Sequence, residues 1–179
     1  MKELMSDKGF KLMSIIFKIM EAIYPYNQKR AKTFGISEGM TIADYGCGPG
    51  LYTLPFAQIV GEQGKVIAVD VSKIAFEEIE KKIKKHKLNN VQFRLAKGYD
   101  SGIDSGIVDM VFALDMFFMI ENPTEFLKEL SRISKKDGIL VIDDGHQSRK
   151  KTKKKISDSG MWEIIEERRD CLKCKKSIK

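Results

Sequence analysis

The stretch TIADYGCGPG, Thr41–Gly50, decides the fold of this chain. It contains a short apolar run, an acidic residue at Asp44 and three glycines within five positions. In open α/β sheets, ligands bind beyond the carboxyl ends of the parallel strands, at the turns that lead into the helices. Glycine permits a positive φ there and lets a ligand approach the backbone without an intervening Cβ. The stretch therefore predicts a first strand followed by a ligand-binding turn.

The spacing of these glycines argues against a nicotinamide or flavin cofactor. The dinucleotide fingerprint is G-x-G-x-x-G, whereas this turn has G-x-G-x-G and places Leu51 at the third fingerprint position. Pro49 also removes a backbone donor that a pyrophosphate would use. A carboxylate at Asp44 repels phosphate and attracts a cationic group such as an ammonium. The turn therefore predicts a nucleoside ligand with a positively charged end.

A second acidic residue follows at the end of the next apolar run. The run KVIAVD, residues 65–70, ends in Asp70, 20 residues after Gly50. An acid at the tip of the second strand can accept hydrogen bonds from the hydroxyls of a ribose. The alternative is that Asp70 caps the helix predicted from Ser72 through Lys87. The two acids together favour a nucleoside site.

The rest of the chain alternates between apolar runs and amphipathic stretches. Such alternation predicts a parallel sheet covered by helices on both faces, that is, an α/β fold of the Rossmann type. The tail, residues 161–176, reads as two strands without a helix between them, which predicts an antiparallel hairpin turning near Arg169 and Asp170. The other predicted elements are strands at 91–96, 107–114 and 138–143, helices at 51–60 and 123–134, and a turn at Asp137–Gly138.

The N-terminal segment is apolar but interrupted. Residues 10–24 carry polar side chains only at spacings of three and four, which places them on one narrow stripe of a helix. We expect this helix to dock on the domain; a lid over the substrate and a peripheral membrane contact are the alternatives. The segment has no signal-peptide cleavage site, and the three cysteines are an odd, low count. These features predict a cytoplasmic protein.

The net charge of +7 is concentrated in one place. The run RKKTKKK, residues 149–155, carries six basic residues, so the remaining chain is close to +1. A basic patch attracts nucleic acid, anionic lipid or an acidic substrate. The run lacks interleaved aromatic residues on which bases would stack. We therefore interpret it as a solvated, lysine-rich helix or loop, with a nucleic-acid partner as the less favoured alternative.

Four segments together resemble the class I S-adenosylmethionine-dependent methyltransferases. They are IADYGCGPG, VIAVDVS, VDMVFALD and FLKELSRISKKDGILVIDD, and the resemblance extends over residues 36–176. Within that group the chain is similar to the small enzymes of the quinone-biosynthesis type. The resemblance implies a seven-stranded sheet of order 3-2-1-4-5-7-6 with strand 7 antiparallel, and S-adenosylmethionine as cofactor. It divides the chain into an N-terminal helical cap, residues 1–35, and a methyltransferase domain, residues 36–179.

The resemblance also implies roles for particular residues. Asp44 would face the methionine ammonium, and Asp70 would bind the ribose with Val71 against the adenine. Asp100 is the nearest acid to the position at which family members contact the adenine amine. Asp115 and Met116 would line the methyl-transfer site. The turn that wraps the methionine portion would consist of Tyr45, Gly46, Cys47, Gly48 and Gly50.

Methyl transfer from a sulfonium is an in-line displacement, in which the protein supplies proximity and alignment. A base is needed only if the acceptor carries a proton at the working pH. The best candidate is His146, because its ordinary pKa suits the role, followed by Asp115, Asp143 and Asp144. No metal is expected at Asp143 and Asp144, because adjacent acids at a strand end point in different directions.

The acceptor is expected to be a small, apolar or aromatic molecule. This expectation rests on the apolar N-terminal segment and on the run MFFM, residues 116–119. Two alternatives stay open: an RNA or protein methyltransferase guided by residues 149–155, and a non-catalytic S-adenosylmethionine-binding module. The pair Cys171 and Cys174 has metal-site spacing but lacks further ligands nearby, so we interpret both as ordinary strand residues facing opposite sides of the sheet.

Overall fold

Seven strands form one sheet in the part of the chain that the structure describes. The computed structural model describes residues 25–177, and of the preceding segment only Gly9, Leu12, Ile15 and Ile19. Across the sheet the strand order is β3-β2-β1-β4-β5-β7-β6, and β7 runs antiparallel to both of its neighbours. The predicted fold and strand order are confirmed. The strands are β1 Thr41–Tyr45, β2 Lys65–Asp70, β3 Val91–Leu95, β4 Val108–Ala113, β5 Ser134–Ile142, β6 Trp162–Glu167 and β7 Leu172–Lys176.

The strand order reverses beside β1. This strand pairs in parallel with β2 on one side and with β4 on the other. The chain therefore leaves the carboxyl ends of β1 and β4 in opposite directions, which opens a crevice between the two turns. Ile42, Ala43 and Asp44 are all buried, in agreement with a central strand covered on both faces. The turn singled out in the sequence lies at the mouth of this crevice.

Five helices and one short 3-10 segment surround the sheet in the described residues. The predicted cap is present, because the Ser72 side chain accepts a hydrogen bond from the Ile74 N–H at 3.2 Å. Cations crowd the last turn of the same helix, where the helix dipole favours them. The helices are α1 Tyr26–Ala31, α2 Thr53–Val60, α3 Lys73–His86, α4 Pro123–Ile133 and α5 Arg149–Ser159, and the 3-10 segment is Phe117–Met119.

The predicted turn at Asp137–Gly138 is wrong. Both residues lie inside β5, which begins at Ser134, directly after α4. The register explains the misleading signal, because Ser134 pairs with Val108 whereas Ile139 pairs with Met110, so the strand carries an irregularity between these points. A bulge accommodates the extra residues without ending the strand. The Asp-Gly pair, which indicates a turn in the sequence, therefore lies at a local distortion of a longer strand.

The core lies on both faces of the sheet. On one face the rings of Phe34, Phe56 and Phe112 pack together, with centroids 5.2 Å apart for Phe34–Phe112 and 4.3 Å for Phe56–Phe112. On the other face, Phe126 of α4 and Trp162 of β6 belong to one buried cluster. Phe34, just after α1, has only 1% of its surface exposed, so residues 26–34 pack into the body. The division into residues 1–35 and 36–179 stays a prediction.

The predicted helix over residues 10–24 lies mostly outside the described residues. Leu12, Ile15 and Ile19 are helical, and their side chains expose 60%, 54% and 56% of their surface. Docking, a lid and a membrane contact therefore stay predictions. None of the helices within the described residues is long and apolar enough to cross a bilayer.

Candidate active site

The glycine turn after β1 is built on left-handed backbone. Gly46 has a φ of 76° and Gly48 a φ of 49°, a region that glycine adopts readily and other residues rarely. A Cβ on Gly46 would lie 2.8 Å from Met116 Cγ, so Met116 packs directly over this turn. A Cβ on Gly48 would have no atom of the described residues within 4 Å. The backbone at Gly48 thus faces open space in the crevice.

Asp44 is a buried carboxyl group at the end of β1. Only 3% of its surface is exposed, and its Oδ2 accepts a hydrogen bond from Thr53 Oγ1 at 2.6 Å. Burial raises its pKa to about 7, and the negative charge of Asp70 adds to the shift. In the described part of the chain, no lysine or arginine forms an ion pair with it. The site therefore offers a desolvated carboxyl that lacks a cation.

Asp70 connects the glycine turn to the start of α3. Its Oδ2 accepts from the Gly48 N–H and its Oδ1 from the Ser72 N–H, each at 2.9 Å. Burial raises the pKa of Asp70. The N-cap of α3 is Ser72. The alternative that Asp70 is the cap of this helix is therefore wrong. Val71, the next residue, keeps 42% of its surface exposed and presents an apolar surface beside the carboxylate.

The turn after β3 is joined to the end of β1. Backbone hydrogen bonds between Lys97 and Asp100 close the turn, and Tyr45 Oη donates to the Tyr99 carbonyl at 2.6 Å. Asp100 is exposed, and its Oδ1 accepts from the Gly102 N–H at 2.9 Å. The structure thus places Asp100 on the same edge of the sheet as the turns after β1 and β2.

Asp115 occupies a strained position just past β4. Its φ is +57°, which is uncommon for a residue with a side chain. Its N–H donates to Asp143 Oδ1 at 2.8 Å, which holds the backbone in this conformation. Its side chain is exposed, and Met116 beside it covers Gly46. Asp115 and Met116 therefore lie at the crevice, and their role at the methyl-transfer site, which the resemblance implies, stays a prediction.

A buried ion-pair network that the sequence did not reveal adjoins Asp115. Arg30 on α1 donates from Nη2 to Asp143 Oδ2 at 3.2 Å and from Nε to Asp170 Oδ2 at 2.7 Å. Its Nη1 also donates to Tyr52 Oη at 2.6 Å. Burial and the negative charge of Asp115 raise the pKa of Asp143 to about 6. This network joins α1, the end of β5 and the β6–β7 turn.

A cavity of about 290 Å³ opens between the ends of β4 and β5, and we call it the β4–β5 cavity. The residues that line it come from α1, the turns after β4 and β5, and the β6–β7 turn: Tyr26, Arg30, Asp115, Asp143, Asp144, Gly145, Arg169 and Asp170. A second cavity of similar volume lies between α1 and α2, and none of the predicted site residues lines it.

His146 is not among the residues that line the β4–β5 cavity. Its side chain is exposed and packs edge-on against Phe118, with ring centroids 4.9 Å apart. A Cβ on Gly145 would clash with Phe118 Cδ1, so the turn after β5 packs closely on the 3-10 segment. Of the candidate bases, the structure brings Asp115, Asp143 and Asp144 to the cavity, and His146 is not among its described lining residues.

The basic run forms α5, and most of its charges have intramolecular partners. Arg149 binds Asp144 at 2.7 Å, and Lys153 binds Glu167 at the same distance. Two further cations of the run are engaged as well: Lys154 binds Asp158, and Lys155 donates to the Phe117 carbonyl. The interpretation of the run as a solvated, lysine-rich helix agrees with these contacts.

The two tail cysteines are buried on opposite faces of the sheet. Cys171 belongs to the buried cluster that contains Phe112 and Val141, whereas Cys174 belongs to the buried cluster that contains Leu140 and Ile142. Burial raises the pKa of both thiols, to about 11 and about 12 respectively. Within the described residues, no group of three His, Cys, Asp or Glu side chains is arranged to hold a metal ion. The cysteines are core residues of the sheet edge.

Comparison with known proteins places this geometry in context. Residues 36–174 match the family model described as a methyltransferase domain. An uncharacterized methyltransferase of Schizosaccharomyces pombe is 34% identical over 109 residues, covering 58% of this chain and 39% of that protein. A demethylmenaquinone methyltransferase of Lactococcus lactis is 29% identical over 147 residues, covering 76% and 57%. The chain spans about half the length of the curated relatives it matches.

Solved structures share the whole architecture. A SAM-dependent methyltransferase from Aquifex aeolicus superposes with a TM-score of 0.73 at 28% identity, covering 84% of this chain and 88% of that one. A second structure, from Methanococcus maripaludis, gives a TM-score of 0.79 at 22% identity, covering 100% and 96%; this likeness concerns the fold alone.

Proposed function

Because this chain belongs to the methyltransferase-domain family, we propose that it transfers a methyl group from S-adenosylmethionine to a small-molecule acceptor in the β4–β5 cavity. The observation that carries the proposal is the position of two adjacent residues. Met116 covers the glycine turn, where the cofactor is expected, and Asp115 lines the cavity. One short segment therefore separates the two sites, which in-line transfer requires.

The predicted family, fold and cofactor are confirmed by the comparisons. The residues of the crevice fit this cofactor by their chemistry. Asp44 would hold its ammonium, since a buried carboxyl without a cation gains most from one. Asp70 would accept hydrogen bonds from the ribose hydroxyls and Val71 would contact the adenine, while the turn at Gly48 leaves room for the methionine portion. When bound, the cofactor supplies an electrophilic methyl group on a sulfonium.

The protein contributes alignment and a proton acceptor. Asp143 fixes the backbone of Asp115 through the hydrogen bond from the Asp115 N–H, so the carboxylate of Asp115 is held at the cavity. In this proposal Asp115 accepts the acceptor's proton, and Asp143 acts as a positioning residue. His146, the base favoured from the sequence, packs against Phe118 and is not among the described residues that line the cavity, which supports giving this role to Asp115 instead.

The described lining supports a polar acceptor over the apolar or aromatic one expected from the sequence. Of the apolar run, Phe117 is buried in the core and Met119 is exposed, and neither lines the cavity. Some relatives are named as demethylmenaquinone methyltransferases.

The alternative of an RNA or protein acceptor gains no support from α5, because the cations of this helix largely pair within the chain.

The proposed function is tested first by cofactor binding. We expect S-adenosylmethionine and S-adenosylhomocysteine to bind and NAD to give no heat in calorimetric titration. Asp70→Ala removes the charged acceptor proposed to bind the two ribose hydroxyls. The affinity of the variant for both sulfur nucleosides should therefore fall roughly 10- to 100-fold. Asp137→Ala, at an exposed residue of β5, is the matched control and should bind as the wild type does.

Two results would contradict the proposal. If neither sulfur nucleoside binds, the crevice is not a working cofactor site. If both bind but no methylated product forms with any acceptor in a broad screen, the chain is the non-catalytic binding module that the sequence left open.

A further inference from the structure

The β4–β5 cavity has an excess of carboxylates. Four of the side chains that line it are acidic, Asp115, Asp143, Asp144 and Asp170, and they come from three separate turns. The cations that line it are Arg30 and Arg169. Whether the cavity favours a cationic or an anionic ligand depends on which of these groups already have partners inside the protein.

Arg30 has little left to offer a ligand. Its Nε donates to Asp170 Oδ2, its Nη1 to Tyr52 Oη, and its Nη2 to both Asp143 Oδ2 and the Asp170 carbonyl. A guanidinium has five N–H donors in a fixed fork, so four of them are committed here. The side chain is also 94% buried, and Arg30 thus acts as a structural counter-charge within the wall.

Two acidic side chains keep unused acceptors. Asp144 Oδ2 accepts from Arg149 Nε at 2.7 Å, but Asp144 Oδ1 is buried and has no hydrogen-bond partner among the described residues. The exposed carboxylate of Asp115 makes no ion pair or side-chain hydrogen bond within the described residues. A buried acceptor without a donor is costly, so it marks a place where a donor is expected. Asp144 Oδ1 is the buried acceptor that lacks a donor, and the exposed Asp115 carboxylate is open to an N–H donor from a ligand.

The aromatic part of the wall suits the same ligand. Tyr26 keeps 57% of its surface exposed at the cavity, and the Arg30 guanidinium already lies 6.0 Å from its ring centroid. A ring face attracts cations through its quadrupole. Arg169 is exposed at the cavity edge, where it is free to pair with a carboxylate if the ligand carries one.

We propose that the methyl acceptor is a small amine, protonated in solution, whose nitrogen is held by the carboxylates of Asp115 and Asp144. This inference rests on the proposed function, because it names the substrate class of that same cavity. It differs from the expectation of an apolar acceptor. The described lining offers hydrogen-bond acceptors and negative charge, and an apolar acceptor would remove water from these groups without replacing their hydrogen bonds.

The chemistry balances with the groups present. The ammonium of the acceptor first gives one proton to the Asp115 carboxylate, which frees the nitrogen lone pair. This lone pair forms the new N–C bond to the methyl group as the C–S bond breaks, and that electron pair stays on sulfur. The products are the methylated ammonium and S-adenosylhomocysteine, and the proton on Asp115 passes to solvent.

The test measures binding to the product complex, so that it does not depend on turnover. The protein is saturated with S-adenosylhomocysteine and titrated with three amines and with the alcohols of the same skeletons. The pairs are tyramine and tyrosol, putrescine and butane-1,4-diol, and glycine and glycolate. At least one amine should bind, and its alcohol should bind at least about tenfold more weakly, since a charge-assisted hydrogen bond is lost.

Isosteric variants locate the site. Asp115→Asn and Asp144→Asn each remove a negative charge and keep the shape, and each should weaken binding of the amine roughly tenfold or more. Asp137→Asn makes the same change in net charge at an exposed residue outside the cavity, and it should leave the affinity unchanged. Circular dichroism and thermal melting check that all three variants are folded.

Each outcome decides one question. If S-adenosylhomocysteine itself does not bind, the proposed function fails and the inference fails with it. If S-adenosylhomocysteine binds but every alcohol binds as tightly as its amine, or no amine binds, the inference is overturned while the proposed function stands. Amine binding that survives both cavity variants would also overturn it, because the nitrogen would then lie elsewhere.

Discussion

Asp44→Asn should stabilise the protein without ligand at pH 8. The folded protein holds the Asp44 proton up to a pKa of about 7, whereas the unfolded chain releases it near 3.8. The free energy of unfolding therefore falls as the pH rises between these values. The difference of about three pH units between the two pKa values corresponds to a loss of at most about 4 kcal/mol in the free energy of unfolding above pH 7. An asparagine keeps the hydrogen bond from Thr53 and buries no charge.

The expected gain is visible in thermal melting. At pH 8 the midpoint should rise on the order of 5–10 °C, because about 1 kcal/mol shifts the midpoint of a domain of this size by about 2–4 °C. At pH 5, where Asp44 of the wild type is already protonated, the two proteins should melt within a degree or two of each other. Asp104→Asn, at an exposed residue, is the matched control and should show no gain at either pH.

The same substitution should weaken S-adenosylmethionine roughly 10- to 100-fold at pH 7.5, because a charged hydrogen bond to the ammonium is lost. In the wild type, affinity should rise with pH up to about 7 as Asp44 ionises, and fall above about 8 as the α-amino group loses its proton. The variant should lack the rise on the acid side. Equal melting curves for both proteins at pH 8, or unchanged affinity, would show that Asp44 is not a strained, ligand-binding carboxyl.

The predicted site residues that the structure brings to one edge of the sheet are those whose signal in the sequence is local. Asp44, Gly48 and Asp70 each follow an apolar strand within a few residues, and the strand ends of a parallel sheet meet at one edge. The sequence therefore determines their neighbourhood before any tertiary contact is known. The strand order 3-2-1-4-5-7-6 came from the resemblance, because alternation alone gives only a parallel sheet.

The missed features depend on tertiary contacts. Arg30 lies 140 residues from Asp170, and nothing in the run YNQKRA distinguishes a buried arginine from an exposed one. The turn expected at Asp137–Gly138 followed the usual meaning of an Asp-Gly pair, but both residues lie within β5, in the irregular part between the paired residues Ser134 and Ile139. His146 was favoured on its ordinary pKa, and only the packing on Phe118 shows that it lies outside the cavity.

Arg30→Met should destabilise the protein by about 3–5 kcal/mol at pH 8, the usual cost of removing one partner of a buried ion pair. The side chains of Arg30 and Asp143 are only 6% and 5% exposed, so the ion pair is largely shielded from water. The double variant with Asp143→Asn removes the more buried of the two carboxylates that lose their partner, since the Asp170 side chain is 40% exposed, and it should recover much of the loss. Lys154→Met, which breaks an ion pair exposed at 74% and 55%, is the control and should cost less than about 1 kcal/mol.

The pH dependence identifies Asp143 as the stranded group. Its pKa is about 6 with Arg30 present, and the loss of a nearby cation raises the pKa of a carboxyl further. Lowering the pH to 5 protonates Asp143 in both proteins, which removes the charge interaction from the wild type and the uncompensated charge from the variant. The difference in unfolding free energy, measured by urea denaturation, should therefore shrink between pH 8 and pH 5. A loss that is the same at both pH values would mean that the packing of the guanidinium, and not its charge, holds α1 against the cavity wall.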